Sequence, residues 1–169
     1  MRYKKMYPAM LLYASSLILV GFILDDPRNI LPGLRNIVLM PDALITDYMK
    51  TGGPGAAFVN AGLVTLISIL VIYLSKDALN GFAMVEMGLM SGFALFGKNF
   101  VNILPIIAGT WLYAKYRREP FAKYSSVALL STALSPMVTH MAGEGLLASA
   151  AAGILIGLLI GFVLPALSS

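Results

Sequence analysis

The chain has 169 residues, 59% of them hydrophobic and 12% charged, with a net charge of +4 and no cysteine. That charged share is about half the ~25% of an ordinary soluble domain, which excludes a soluble globular fold of this size. The basic residues sit at the ends of apolar runs, which excludes a nucleic-acid-binding stripe, and the lack of cysteine excludes disulfides, thiolate metal sites and thiol catalysis.

A helix rises 1.5 Å per residue, so a ~30 Å hydrocarbon core needs about 20 apolar residues. Uncharged runs at 6–24, 55–75, 124–143 and 145–169 approach or exceed that length, with shorter ones at 87–97 and 99–114. The predicted fold is an all-α polytopic membrane bundle, a single membrane domain over residues 1–169. It has about six apolar segments, one or two of them broken or re-entrant helices.

Residues 1–24 have the basic start and apolar body of a secretion signal. The run is long, however, and Asp25-Asp26-Pro27 lacks a small-residue cleavage pattern, so the first helix is read as retained. Arg2, Lys4 and Lys5 place the N-terminus in the cytoplasm and the protein in the inner (plasma) membrane. Residues 25–54 mix Arg28, Arg35 and Lys50 with Asp25, Asp26, Asp42 and Asp47, a balance suited to the outer side. Within them Ile30, Leu31, Leu34, Ile37 and Val38 recur at helical spacing opposite Arg28, Asn29, Arg35 and Asn36, as in a helix lying in the lipid interface. Pro54 then suits the first turn of the second helix.

Asn60 puts an amide in that helix, to be read as interhelical glue or as a solute ligand. Glu86 is the candidate buried charge of the third apolar piece. An apolar helix from Gly81 is expected to end at Gly97, followed by Lys98 and Asn99, with Asn102 as a cap and Pro105 in the next first turn. Short arms interrupted by Gly, polar residues and Pro point to discontinuous helices whose ends bind solutes within the membrane. The competing reading is an outer hairpin tip, where a lysine costs nothing. Glu86 and Lys98 would be about 18 Å apart on one straight helix, so a direct pair requires a break or a second subunit. The spacing Gly92 to Gly97-Lys98-Asn99 mimics a phosphate-binding loop, but the intervening Phe-Ala-Leu-Phe lies in an apolar run and nucleotide binding is excluded.

The basic cluster Lys115, Arg117, Arg118 and Lys123 is again cytoplasmic, and two full crossings or one re-entrant hairpin before it satisfy the charge rule equally. Pro136 kinks the following run. His140 and Glu144, spaced i, i+4, form either a proton-responsive pair or part of an outer turn. One His and one Glu fall short of a metal site. In the last helix Gly145, Ser149, Gly153, Gly157 and Gly161 repeat every four residues, a face built to touch another helix, and Gly88 and Gly92 offer a shorter one.

At Gly55-Ala-Ala-Phe-Val-Asn-Ala-Gly-Leu63, Ser91-Gly-Phe-Ala-Leu-Phe-Gly-Lys-Asn99 and Leu112-Tyr-Ala-Lys-Tyr116 the chain resembles an uncharacterised group of bacterial integral membrane proteins, the domain-of-unknown-function family 1576. The resemblance implies an internal duplication of which this chain is one half, completed by a second repeat half or by a second copy in a homodimer. It carries no activity with it. The residues themselves point to a transporter or channel unit for a small polar or ionic solute, with Asn60, Glu86, Lys98, Asn99, Asn102, His140 and Glu144 as candidate solute-binding groups. The alternative is a membrane scaffold or accessory subunit. No nucleophile and base are placed together, so no enzyme, cofactor or metal is expected, and the partners are lipids and an unidentified solute.

Overall fold

The computed structural model describes residues 6–40, 45–76, 81–142 and 148–168. Among them the regular elements are all helical, with a single isolated β-bridge between Asp47 and Phe96. Helix α1 (Met6–Leu24) is followed by α2 (Pro27–Leu39), where the Asp26 side chain accepts from the Arg28 N–H and Pro27 fills the first turn. The amphipathic pattern holds: Ile30, Gly33 and Ile37 are buried while Arg28 and Arg35 are exposed. Helix α3 (Tyr48–Gly52) is capped by Asp47, whose carboxylate accepts from the Met49 and Lys50 N–H groups at 2.9 and 3.2 Å. Gly53, at φ 87°, a value that side chains resist, turns the chain directly into α4 (Pro54–Ser75).

Helices α1 and α4 run antiparallel and nearly touch. A Cβ added at Gly55 would lie 2.7 Å from Gly21 O, and one at Gly62 would lie 2.9 Å from Ala14 O, while Tyr7 stacks edge-on to Tyr73 at the far end. Helix α2 lies across the start of α4, with Gly33 O only 2.7 Å from where a Gly52 Cβ would be. Helix α5 (Gly81–Phe93) returns beside α4, burying Ala83, Met87 and Met90 against Val64, Ile69 and Ile72. Tyr13 of α1 and Ser91 of α5 share a hydrogen bond of 2.7 Å.

Helix α6 (Leu104–Arg117) has Pro105 in its first turn. After a 3₁₀ turn (Phe121–Tyr124) come α7 (Ser125–Ser131), a second 3₁₀ turn (Thr132–Leu134), α8 (Ser135–Ala142) and α9 (Ala148–Ser168). The 124–143 run, in which Pro136 is expected to introduce a kink, is interrupted, and the break begins at Thr132. The Thr132 hydroxyl bonds back to Leu129 O and tightens the turn, and Pro136, lacking an N–H, starts a new helix. Among the described residues three helices, Met6–Leu24, Pro54–Ser75 and Ala150–Ser168, are long and apolar enough to cross a membrane, and Gly81–Phe93 is a shorter apolar one.

The small-residue face of α9 packs in cis, parallel to α6. A Cβ at Gly157 would sit 2.5 Å from Pro105 Cβ, one at Gly161 would lie 2.9 Å from Thr110 N, and Thr110 Oγ1 donates to Gly161 O at 2.8 Å. Contact of backbones is what holds helices together where water supplies little drive. Gly88 and Gly92, in contrast, face open space with nothing within 4 Å of an added Cβ. Gly145 lies outside the described residues.

Candidate functional site

Helices α5 and α6 are the arms of a hairpin whose turn, residues 94–103, is irregular and mostly buried. The turn meets α4 at Asn60, six residues after Pro54 and so ~9 Å along that helix. Pro105, in the first turn of α6, meets α9 at Gly157, nine residues after Ala148 and so ~13.5 Å along it. The turn itself touches α4 inside that helix, beyond its first turn. It is roofed by α2 and α3: the Tyr48 N–H donates to Leu95 O at 3.2 Å, and Phe100 and Val101 join Leu31, Leu34 and Arg35 around a groove.

A non-helical turn in such a place exposes peptide groups that need partners. Three asparagines supply them. Asn60, 0% exposed, donates from Nδ2 to Ala94 O at 2.7 Å and to Lys98 O at 2.9 Å, and its Oδ1 accepts from the Phe100 N–H at 3.2 Å. Asn99 Oδ1 accepts from the N–H groups of Val101 and Asn102, and Asn102 Oδ1 accepts in return from the Asn99 N–H at 2.9 Å. This is the reciprocal pattern of a capping box, with Asn99 as the cap and Asn102 three residues on. Asn102 Nδ2 donates to Gly97 O, and Asn99 Nδ2 donates to the Tyr48 hydroxyl. Gly97 sits at φ 96°, which fixes its identity. The cap expected at Asn102 is not formed: α6 starts after Ile103 without a side-chain cap, Asn99 and Asn102 instead brace the turn before it, and α5 ends at Phe93, before Gly97.

Lys98 is the exception. Its side chain is turned inward, only 2% exposed, and reaches back so that Nζ donates to Met90 Sδ at 3.1 Å and lies 5.3 Å from the centre of the Phe93 ring. A thioether is a weak acceptor, and an ammonium has three protons to place. The carbonyl end of α5 and the ring face both favour a cation here, but neither is a counter-charge. Glu86, 2% exposed, is one turn before Met90 on α5. The chain turn thus brings Lys98 back toward Glu86, yet among the described residues the ion pair is between Lys123 and Glu119 alone.

Thr132 Oγ1 lies 3.4 Å from the same Met90 sulfur, and Ser135 Oγ, on a 0% exposed residue, has no hydrogen-bond partner among the described residues. Neither Thr132, Ser135 nor Tyr48 stands out by residue type or spacing; only the break in α7–α8 and the roof over the hairpin bring them in. His140 is exposed in the last turn of α8, away from this cluster, and Glu144 lies outside the described residues. Among the described residues no group of three metal-ligating side chains forms.

At the opposite end, beyond α6, the Lys123 Nζ donates to Glu119 Oε1 at 2.8 Å and the Tyr124 hydroxyl donates to Glu119 Oε2. These bonds, Lys123's first, hold the Glu119 carboxyl below its usual range, and the Lys123 ammonium is raised in turn. Arg118 ends α6 in the left-handed region at φ 55° and carries the basic cluster on that side.

No curated protein and no solved structure matches the chain. A family model described as a protein of unknown function, DUF1576, matches residues 26–169. The chain belongs to the DUF1576 family.

Proposed function

We propose that the protein is a non-enzymatic transporter or channel unit for a small polar or ionic solute, and that the α5–α6 hairpin is a re-entrant element on the solute's path. The observation that carries this reading is Lys98: a side chain buried to 2% exposure, at a broken-helix turn, whose ammonium meets a sulfur and a ring among the described residues. A charge kept at such a place is expensive unless it serves a ligand. Glu86 contributes the second buried ionisable group along the same face of α5. The asparagines play a different part. Their amides are occupied by main-chain groups and the Tyr48 hydroxyl, so Asn60, Asn99 and Asn102 shape the turn and leave the solute to Lys98 and the Thr132 hydroxyl beside Met90. The N-terminus and the α6 basic cluster belong on the cytoplasmic side, with α2 and α3 outside, and a second half or a second copy completes the assembly.

That occupancy of the amides also favours the alternative, a scaffold whose polar turn is purely structural. Vesicle flux separates the two. Reconstituted protein should pass one or more solutes from a panel of alkali cations, small anions and amino acids, and Glu86→Gln and Lys98→Met should abolish that flux while leaving the fold intact. Absence of any flux from a folded, correctly inserted wild type, with both variants equally stable, establishes the scaffold instead.

A further inference from the structure

We infer that the hairpin turn is a binding site for a small monovalent anion, held by the Lys98 ammonium and the hydroxyls of Thr132 and Ser135 in the position now taken by the Met90 sulfur. The inference rests on the transport reading for its purpose but not for its chemistry.

Two donors from different parts of the chain converge on one atom. Lys98 Nζ approaches Met90 Sδ at 3.1 Å and Thr132 Oγ1 approaches it at 3.4 Å, with Leu129 O as the alternative acceptor for the hydroxyl. Thioether sulfur is among the poorest acceptors a side chain offers, so the Lys98 ammonium, with three protons, keeps capacity for a better one. Met is unbranched and flexible, so it can leave the position without disturbing the helix. Ser135 supplies a second, independent sign. It is 0% exposed, one 3₁₀ turn beyond Thr132, and its Oγ has no hydrogen-bond partner among the described residues. A buried cation and a buried hydroxyl, both with donor capacity to spare, define an anion and not a metal ion.

The charge is set by the same residues. One ammonium balances one negative charge, and a dianion would leave a net charge among Phe93, Met90 and the apolar turns, where it is costly. Glu86, one turn away, opposes a dianion further. The apolar surroundings suit a halide or a short monocarboxylate equally, and the probes below separate those two.

The full chain, purified in detergent, is titrated calorimetrically with sodium acetate, sodium chloride, sodium sulfate and glycine at constant ionic strength. Acetate or chloride, or both, should bind once per chain, with sulfate about tenfold weaker or more. Lys98→Met should abolish binding. Lys98→Arg, which keeps the cation, should retain it and serves if the Met variant does not fold. Ser135→Ala should weaken binding about 3- to 10-fold, the loss of one neutral donor. Equal binding of acetate and chloride by wild type and Lys98→Met overturns the inference, as does tighter binding of glycine, which would give the site to a zwitterion using Glu86. No binding of any probe overturns it too. Flux of a cation or a neutral solute without anion binding defeats this inference and spares the transport reading; anion binding without flux does the reverse.

Discussion

Replacing Asn60 by Ala removes two donors and one acceptor from the hairpin turn and strands Ala94 O, Lys98 O and the Phe100 N–H. Interhelical side-chain bonds in lipid average about 0.6 kcal/mol, which for three would total about 2 kcal/mol. Stranded buried main-chain groups cost about 1–3 kcal/mol each, for a total of about 3–9 kcal/mol. The larger scale applies, because Ala94 and Lys98 lie past the end of α5 and no helix offers their carbonyls another partner. Phe100 is only part-buried, which keeps the sum in the lower half of the range. A loss of about 5 kcal/mol is expected. Trp111, the single tryptophan, lies on α6 and reports unfolding by fluorescence in mixed micelles titrated with a denaturing detergent. Asn60→Asp keeps the acceptor for Phe100 but sets a carboxylate against two carbonyls, and it should lose at least as much at neutral pH. A change below about 1 kcal/mol in both variants would refute the clamp.

Gly161→Ala drives a Cβ into the Ile106 carbonyl and should cost about 3 kcal/mol or prevent folding, while Gly88→Ala and Gly92→Ala meet nothing and should be neutral or stabilising by up to about 1 kcal/mol in the same titration. Tyr48→Phe removes the acceptor of Asn99 Nδ2 and should loosen the roof over the turn, seen as faster hydrogen exchange at residues 99–102 with little change in α1 or α9. Glu119 is held below its usual range, so its contribution to the 3₁₀ turn is complete above the unfolded value of about 4.3 and is lost as pH falls through the depressed folded value. Limited proteolysis at 119–124 should therefore speed up in acid for the wild type, and Glu119→Gln should remove that pH dependence. With no native cysteine, a single one at Asn36 should react with an impermeant thiol reagent on intact cells and one at Arg118 should not; the opposite result inverts the proposed orientation.

The parts of the fold set by composition and period are those the sequence reveals. The long apolar runs, the amphipathic α2, the prolines at the starts of α4 and α6, and the α9 glycine face all follow from local chemistry, and each has its place in the structure. The break around Lys98 was legible too, because glycine, two amides and a proline cannot continue an apolar helix. What local pattern could not supply was pairing over distance. Asn60 and the turn it clamps are 34 to 40 residues apart, and Tyr48 is 51 from Asn99, so nothing in either segment names the other. The helix cap expected at Asn102 is absent because that side chain bonds back to Asn99 and Gly97 in the turn, three residues or more before it, and local pattern does not tell a turn brace from a helix cap. In the 124–143 run Pro136 signals a kink, but the break begins earlier, at Thr132, where the back-bonding of a hydroxyl to a carbonyl leaves no trace in hydropathy.

The order in which the turn's partners occur along the chain bears on how the protein is made. Synthesis is vectorial. Tyr48 and Asn60 precede residues 94–103, so when the polar turn leaves the ribosome the groups that solvate its backbone are already in the membrane. Helix α6 is less fortunate: the Gly161 carbonyl and the glycine face that receive it arrive some fifty residues later, as the spacing of Thr110 and Gly161 shows. The nascent hairpin is thus half docked, its tip secured and its descending arm bare, until α9 is inserted. A chain halted before that helix would expose the Gly109 and Thr110 surface to lipid and to membrane quality control, which makes the last helix the step that commits the molecule to its final form.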